Sequence, residues 1–228
     1  MASDTTRSAP TGGAADTTPS AKPHRTPSAP SAAADAVLAF ANTHADAGGR
    51  QERFADAEGL ARWLTDNGLP DAAADVSEAD AAAVRELRDA LVTVLLGHSA
   101  DPRTSEQALT RAEHLLRRAA ARYPLAAVLD RYGARLVPGH DGLPGVLAGI
   151  LASAAELALT GAWQRLKACR NPPCHFAFYD RSRNTSGAYC TTTCSSQVAM
   201  RNYRNRHRAG AATPGNAGDA APEATPRQ

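Results

Sequence analysis

The chain has 228 residues, 43% of them hydrophobic and 21% charged, enough for one small domain with an accessory module and too apolar overall to be wholly disordered. Its formal charge of +2 hides an uneven distribution: Arg165 to Arg208 holds nine basic residues against the single acid Asp180, a net +8, which leaves −6 for the rest. The opening MASDTTRSAP lacks the apolar core of a signal peptide, and no later run is expected to span a bilayer, so the expectation is a cytoplasmic protein without membrane contact.

Residues 1–32 are mostly Ala, Thr, Ser, Pro and Gly and are expected to be a disordered arm, because they cannot bury enough apolar surface to offset the entropy of ordering. A helical domain is expected over residues 33–160. Its first helix runs from Ala33 to His44, with Val37, Phe40 and Ala41 at helical spacing. A second carries Leu60, Trp63 and Leu64, with Asp56 as N-cap and Gly68 as stop. The third starts on a Ser77/Asp80 capping box and places Val84, Leu87, Leu91, Val94 and Leu95 on one stripe before Gly97. A fourth is expected from Thr104, with Gln107 completing a second box and Ala108, Ala112, Leu115, Leu116 and Ala119 facing inward. The stretch Leu125 to Val137 reads either as helical turns or as a hairpin turning around Tyr132 and Gly133; the flanking Pro124 and Pro138 favour short strands. From Leu143 an apolar helix runs through Val146, Leu147, Ile150, Leu151, Ala154 and Leu157 and leads directly toward Cys169.

Residues 161–209 form a different kind of unit. The only four cysteines, Cys169, Cys174, Cys190 and Cys194, lie in CRNPPC, a fifteen-residue insert, and CTTTC. Two close pairs across a short connection are the spacing of a tetrahedral Zn²⁺ site, and four thiolates would fill that tetrahedron, giving a structural metal with no open catalytic position. The alternatives are two disulfides, which need an oxidising compartment to which nothing directs the chain, or four free thiols. A final helix is expected in SSQVAMRNYRNRHR, capped by Ser195 or Ser196, with Met200, Tyr203 and His207 turned toward the metal core and Arg201, Arg204, Asn205 and Arg208 on the opposite, exposed face. Residues 210–228 return to Ala, Gly, Pro and Thr and read as a second disordered segment. The fold class is therefore mainly α with a short β-hairpin, ending in a small, treble-clef-like four-cysteine zinc-finger module of knuckle plus basic helix.

Several of these segments together resemble a bacterial architecture: an ABATE-type helical domain, a class of stress-induced transcription regulator, followed by a CGNR-type zinc finger. The likeness rests on FANT at Phe40 to Thr43, DAEGLARWLTDNGL, RELRDALVTVL, RLKACRNPPC and above all FYDRSRNTSGAYC, and covers roughly residues 35–208. The tetrapeptide that names the finger reads Cys194-Ser195-Ser196-Gln197 here, and the last cysteine pair is spaced by three residues; the four ligands survive this. Gln197 could present an amide to an adenine edge or a phosphate.

The resemblance implies a zinc-dependent DNA-binding regulator. In that reading Arg201, Arg204, Asn205 and Arg208 face the duplex, Gln197 assists, and Arg181, Arg183 and Asn184 add backbone contacts, since a guanidinium bonds phosphate or guanine in two places at once. One short helix reads few base pairs, which suggests a homodimer, with the helical domain as the sensing or dimerising part. Phe40, Asn42, Thr43 and Trp63 mix polar and apolar groups as a small-molecule pocket would, although capping or bridging adjacent helices is the commoner fate of groups such as Asn42 and Thr43. The competing reading is a zinc-stapled module that docks an acidic protein through the same arginines. No Ser-His-Asp elbow, H-E-x-x-H or phosphate-cradling glycine loop is present, so an enzyme is not expected; His140 with Asp141 is too slight a pair to support one, and His114 reads as a surface residue.

Overall fold

The computed structural model describes residues 30–46 and 49–211, with side chains described to Arg208. The expected arm and tail lie outside these residues, except that the first helix already begins at Ala32 and the last runs on to Ala211.

Helix α1 (Ala32–Ala41) is capped by Ser31, whose hydroxyl accepts from the Ala34 amide, and it stops at Asn42, short of the expected His44. Helix α2 (Ala57–Asp66) is capped by Asp56 as expected, and Gly68, at φ +75°, turns the chain into α3 (Pro70–Ala73), a single turn that the apolar spacing did not signal. The Ser77/Asp80 capping box opens α4 (Glu78–His98). Gly97 does not end that helix. It lies inside it, and a Cβ there would meet the Leu109 side chain at 2.7 Å, so the glycine serves the close crossing of α4 and α5 (Glu106–Arg122). Thr104 is not the start of α5 either: its N–H is used by the Asp101 carbonyl in the preceding turn, and Ser105 caps the helix by accepting from Ala108.

Strands β1 (Leu125–Asp130) and β2 (Gly133–Pro138) form the antiparallel hairpin, in register from Leu125↔Pro138 to Asp130↔Gly133. Helix α6 (Gly142–Leu159) then crosses the body against α1, α3 and β2. Among the described residues α6 alone is long and apolar enough to cross a membrane, which corrects the expectation that no run reaches that length; it buries Gly145, Leu147, Ala148, Ile150 and Leu157 within the fold. A 3-10 turn (Trp163–Arg165) leads into a second antiparallel hairpin, β3 (Leu166–Ala168) with β4 (Ala177–Tyr179). Helix α7 (Thr192–Ala211) closes the described chain.

Two apolar clusters hold these elements. One centres on Phe40, Phe54, Leu60, Leu64, Val84, Leu87 and Leu91, all at most 2% exposed; at about 1.5–3 kcal/mol per large side chain it carries most of the body's hydrophobic stabilisation. Its rings of Phe40, Phe54 and Trp63 pack edge-on or tilted, with centroids 5.2–6.1 Å apart, and occupy the place suggested for a ligand. The second joins Val37, Ala41, Leu95 and Leu157 of the body to Leu166, Ala168 and Ala177 of the second hairpin. The finger therefore shares a core with the body.

Candidate metal centre

Each thiol arrives from a different local device. Cys169 follows β3, Cys174 closes the knuckle, Cys190 precedes α7, and Cys194 lies in the first turn of that helix. The knuckle is a tight turn in which the Asn171 carbonyl accepts from the Cys174 and His175 amides, at 2.8 and 3.2 Å, with His175 in the left-handed region at φ +47°. Helix α7 starts earlier than expected because Thr191, not Ser195 or Ser196, caps it: its Oγ1 accepts from the Cys194 amide at 3.2 Å and its carbonyl from Ser195. That shift puts Cys194 on the inner face of the helix.

The four Sγ atoms lie within 4.8 Å of one another, with Cys174 to Cys190 at 3.6 Å and Cys190 to Cys194 at 3.8 Å. A Zn–S length of about 2.3 Å spaces the sulfurs of a regular tetrahedron about 3.8 Å apart. The donor set thus fits zinc in number, chemistry and spacing. Burial pushes the Cys174 thiol up to about 11 and also raises Cys190, with the neighbouring sulfurs adding to it. At Cys194 burial is outweighed by hydrogen bonds involving Asn171 and Thr191, and the thiol sits at about 7. Thiols this close resist joint ionisation, and a bound divalent cation reverses that balance.

Two buried polar links support the knuckle and were not legible as site residues. Asn171, 1% exposed, donates from Nδ2 to Gln197 Oε1 at 2.8 Å and accepts at Oδ1 from Arg201, so it ties the knuckle to α7. Lys167 and Asp180, whose side chains are each 3% exposed, pair at 2.8 Å; Lys167 also donates to the carbonyls of Thr185 and Gly187. Burial raises the Asp180 carboxyl, but Lys167, Ser182 and the Gly187 amide together outweigh it and hold it at about 2. The Asp180 of FYDRSRN is therefore a scaffold group that folds the insert.

The helical body grips the finger through hydrogen bonds at several points. Asn42 Nδ2 donates to the Ala177 carbonyl at 2.9 Å and its Oδ1 accepts from the Ala177 amide at 2.7 Å, so one side chain acts as a short strand beside β4. Thr43 Oγ1 donates to Phe40 O, completing the end of α1. Arg50 donates to the Cys174 carbonyl at 2.7 Å, to Asn42 Oδ1 and to Asp46, and lies over the Phe176 ring. From the end of α4, His98 Nδ1 donates to Leu166 O and Ser99 Oγ to Ala168 O. Arg170 on the knuckle returns the grip by donating to Ser99 O.

The basic helix differs from the expected two-faced arrangement. Arg201, expected on the exposed face, is partly buried against Asn171, while Met200 and Tyr203, expected inside, are 56% and 52% exposed. Cys194, inside the helix and buried, sets the inner face, and Val198 and Arg201, at i+4 and i+7 from it, therefore turn toward the knuckle in place of Met200 and Tyr203. Every side chain from Asn202 to Arg208 is exposed, including Arg204, Asn205 and Arg208, and Tyr203 stacks on His207 with centroids 4.2 Å apart. Arg181, Arg183 and Asn184 are exposed on the insert, and Gln197 is exposed although bonded to Asn171. The structure thus separates Gln197 and Arg201, next to the knuckle, from the outer turns of α7.

The family model ABATE, described as "Putative stress-induced transcription regulator", matches residues 34–161, and the model of the CGNR zinc finger matches residues 165–207. Neither describes an enzyme. No curated protein sequence matches the chain. With the four cysteines gathered inside the matched finger, the chain is a zinc-binding protein; when bound, the metal supplies folding free energy to the knuckle and the start of α7.

Proposed function

Because the chain belongs to the ABATE family and carries a CGNR zinc finger, we propose that it is a DNA-binding transcription regulator whose duplex contact is α7. Cys169, Cys174, Cys190 and Cys194 would hold the zinc, and the observation that carries the DNA reading is the outer half of α7. From Asn202 to Arg208 it stands clear of the body with Arg204, Arg206 and Arg208, and α7 contains no acid. A projecting basic helix with Asn205 among its arginines suits insertion along phosphates and base edges. Arg181, Arg183 and Asn184 would add backbone contacts, whereas Gln197 and Arg201 act first as braces through Asn171.

The helical body serves as the pairing part. The hairpin and α6 leave Leu136 and Leu159 exposed beside Ala127, Gly149, Ala152 and Ser153, with Arg135 and Glu156 in the same strip. A two-fold axis can set the arginine of one copy against the acid of the other. A dimer supplies the second half-site that one short helix needs.

The test is fluorescence anisotropy of labelled duplex DNA over a salt series, with zinc-loaded and chelator-treated protein. The expected result is zinc-dependent binding that weakens steeply with salt, with a log–log slope reduced by about 2 in Arg204→Ala/Arg208→Ala. Failure of the folded, zinc-loaded protein to bind DNA at low salt refutes this reading and turns the search to an acidic protein partner.

A further inference from the structure

Three arginines from three different elements converge where the body, the knuckle and α7 meet. Arg103 comes from the loop between α4 and α5, Arg170 from the knuckle and Arg201 from α7, and together with Tyr189 and Asn202 they line a groove of about 360 Å³. That is the lower size range of ligand pockets, about 300–1,000 Å³. Its acid, Asp101, is consumed: it is 6% exposed and is held by Arg103 Nε and Nη2, each at 3.0 Å.

Each guanidinium is pinned by one edge only. Arg103 also donates from Nη2 to Arg170 O; Arg170 donates from Nε to Ser99 O at 2.6 Å and from Nη2 to Ala100 O at 2.5 Å; Arg201 donates from Nη2 to Asn171 Oδ1. The Nη1 group of all three has no partner among the described residues. Bracing explains the bonded edges. It does not explain why three fixed cations with open donors share one hollow with no free carboxylate. Guanidinium groups ordered in advance by carbonyls lose little freedom on gripping a tetrahedral oxyanion, which is what a phosphate site requires.

We propose that this groove is a phosphate-binding site that takes a backbone phosphodiester of the duplex lying on α7. The contact surface then extends from the finger onto the helical body through Arg103, and zinc orders two of the groove's three walls. The inference rests on the DNA-binding reading above and adds to it a second, separate foothold.

Asn202 makes the clearest probe, because it is exposed, lines the groove and its side chain forms no hydrogen bond among the described residues. In the zinc-loaded full chain, Asn202→Glu places a carboxylate in the groove. The expected result is a log–log salt slope for duplex binding reduced by about 1 and an affinity at least roughly tenfold weaker at low salt. Asn202→Lys steepens the slope and tightens binding, and Arg103→Gln lowers the slope as Asn202→Glu does. Wild-type affinity and slope in Asn202→Glu and Asn202→Lys, beside a clear loss in Arg204→Ala, overturns the groove and leaves the α7 reading standing. Absence of duplex binding by the wild-type protein overturns both. Zinc content and circular dichroism equal to wild type confirm that Asn202→Glu is folded.

Discussion

Asn42 is where the union of body and finger can be tested with a single atom group. Its amide satisfies both the N–H and the C=O of Ala177, at 2.7 and 2.9 Å, and Ala177 is 1% exposed. Asn42→Ala leaves a buried donor and a buried acceptor without partners, each costing about 1–3 kcal/mol, so the expected loss is about 2–6 kcal/mol. Asn42→Asp keeps the acceptor for the Ala177 amide and for Arg50 and loses only the donor, so it should lose roughly half as much. The assay is urea unfolding of the zinc-loaded chain near neutral pH, followed by circular dichroism, with zinc release to a chromophoric chelator read in parallel. Destabilisation in the order Ala, Asp, wild type, with faster zinc release in the Ala variant, is expected. A loss under about 0.5 kcal/mol for Asn42→Ala, the range of an ordinary surface substitution, would show that water reaches Ala177 and that the brace carries nothing.

The buried pair Lys167–Asp180 should behave as a unit: Lys167→Met leaves an uncompensated buried carboxylate and should cost about 3–5 kcal/mol, and Lys167→Met/Asp180→Leu should cost less than the sum of the two single changes while staying well below wild type, because the carbonyls of Thr185 and Gly187 and the amides of Ser182 and Gly187 lose their partners. Burial holds the His98 imidazole below its ordinary value, while its bond to Leu166 O opposes this. The unfolded chain takes that proton near pH 6.5, more readily than the folded one, so this contribution to stability is complete above about pH 6.5 and shrinks as the pH falls. Denaturant midpoints measured between about pH 7 and 5 should fall less steeply in His98→Gln than in wild type.

What the sequence made legible was what has a local period or a covalent inventory. The caps at Asp56 and Ser77, the clustering of four cysteines and the α4 stripe of Val84, Leu87, Leu91 and Leu95 all follow from neighbouring residues and appear where expected, whereas Val94 is only half-buried and Val92 and Leu96 are buried beside the stripe. Gly97 misled because a glycine that ends a helix and one that admits a neighbouring helix look alike until Leu109 is in place. The buried face of α7 differs from the expected one because the Thr191 cap brings Cys194 into the helix, and the face that carries this metal ligand, with Val198 and Arg201, is the one that turns inward. Arg50, Asn171 and Lys167 carry no such local signature, because the Cys174 carbonyl, Gln197 and Asp180 that fix their roles lie 124, 26 and 13 positions away; Asn42 is expected to cap or bridge neighbouring helices, but its partner is Ala177 of β4, 135 positions on. One signal was available: a lysine next to a metal knuckle, with a lone acid in the same basic module, is a pair waiting for a fold to close it.

The segment Cys194-Ser195-Ser196-Gln197 is braced through Asn171. Gln197 accepts from the Asn171 amide, while Arg201, one helical turn on, delivers a guanidinium to the oxygen of the same side chain. Asn171 is 1% exposed, so that oxygen needs a donor. Arg201→Ala should therefore cost about 1–3 kcal/mol and loosen the zinc. If the guanidinium can be supplied from either turn, Gln197→Arg introduced into the Arg201→Ala background restores stability and zinc retention. Rescue is read as the return of the urea midpoint and of the zinc-release rate. Its absence would place the requirement on the geometry of Arg201 itself, which then serves both as brace and as one wall of the arginine groove.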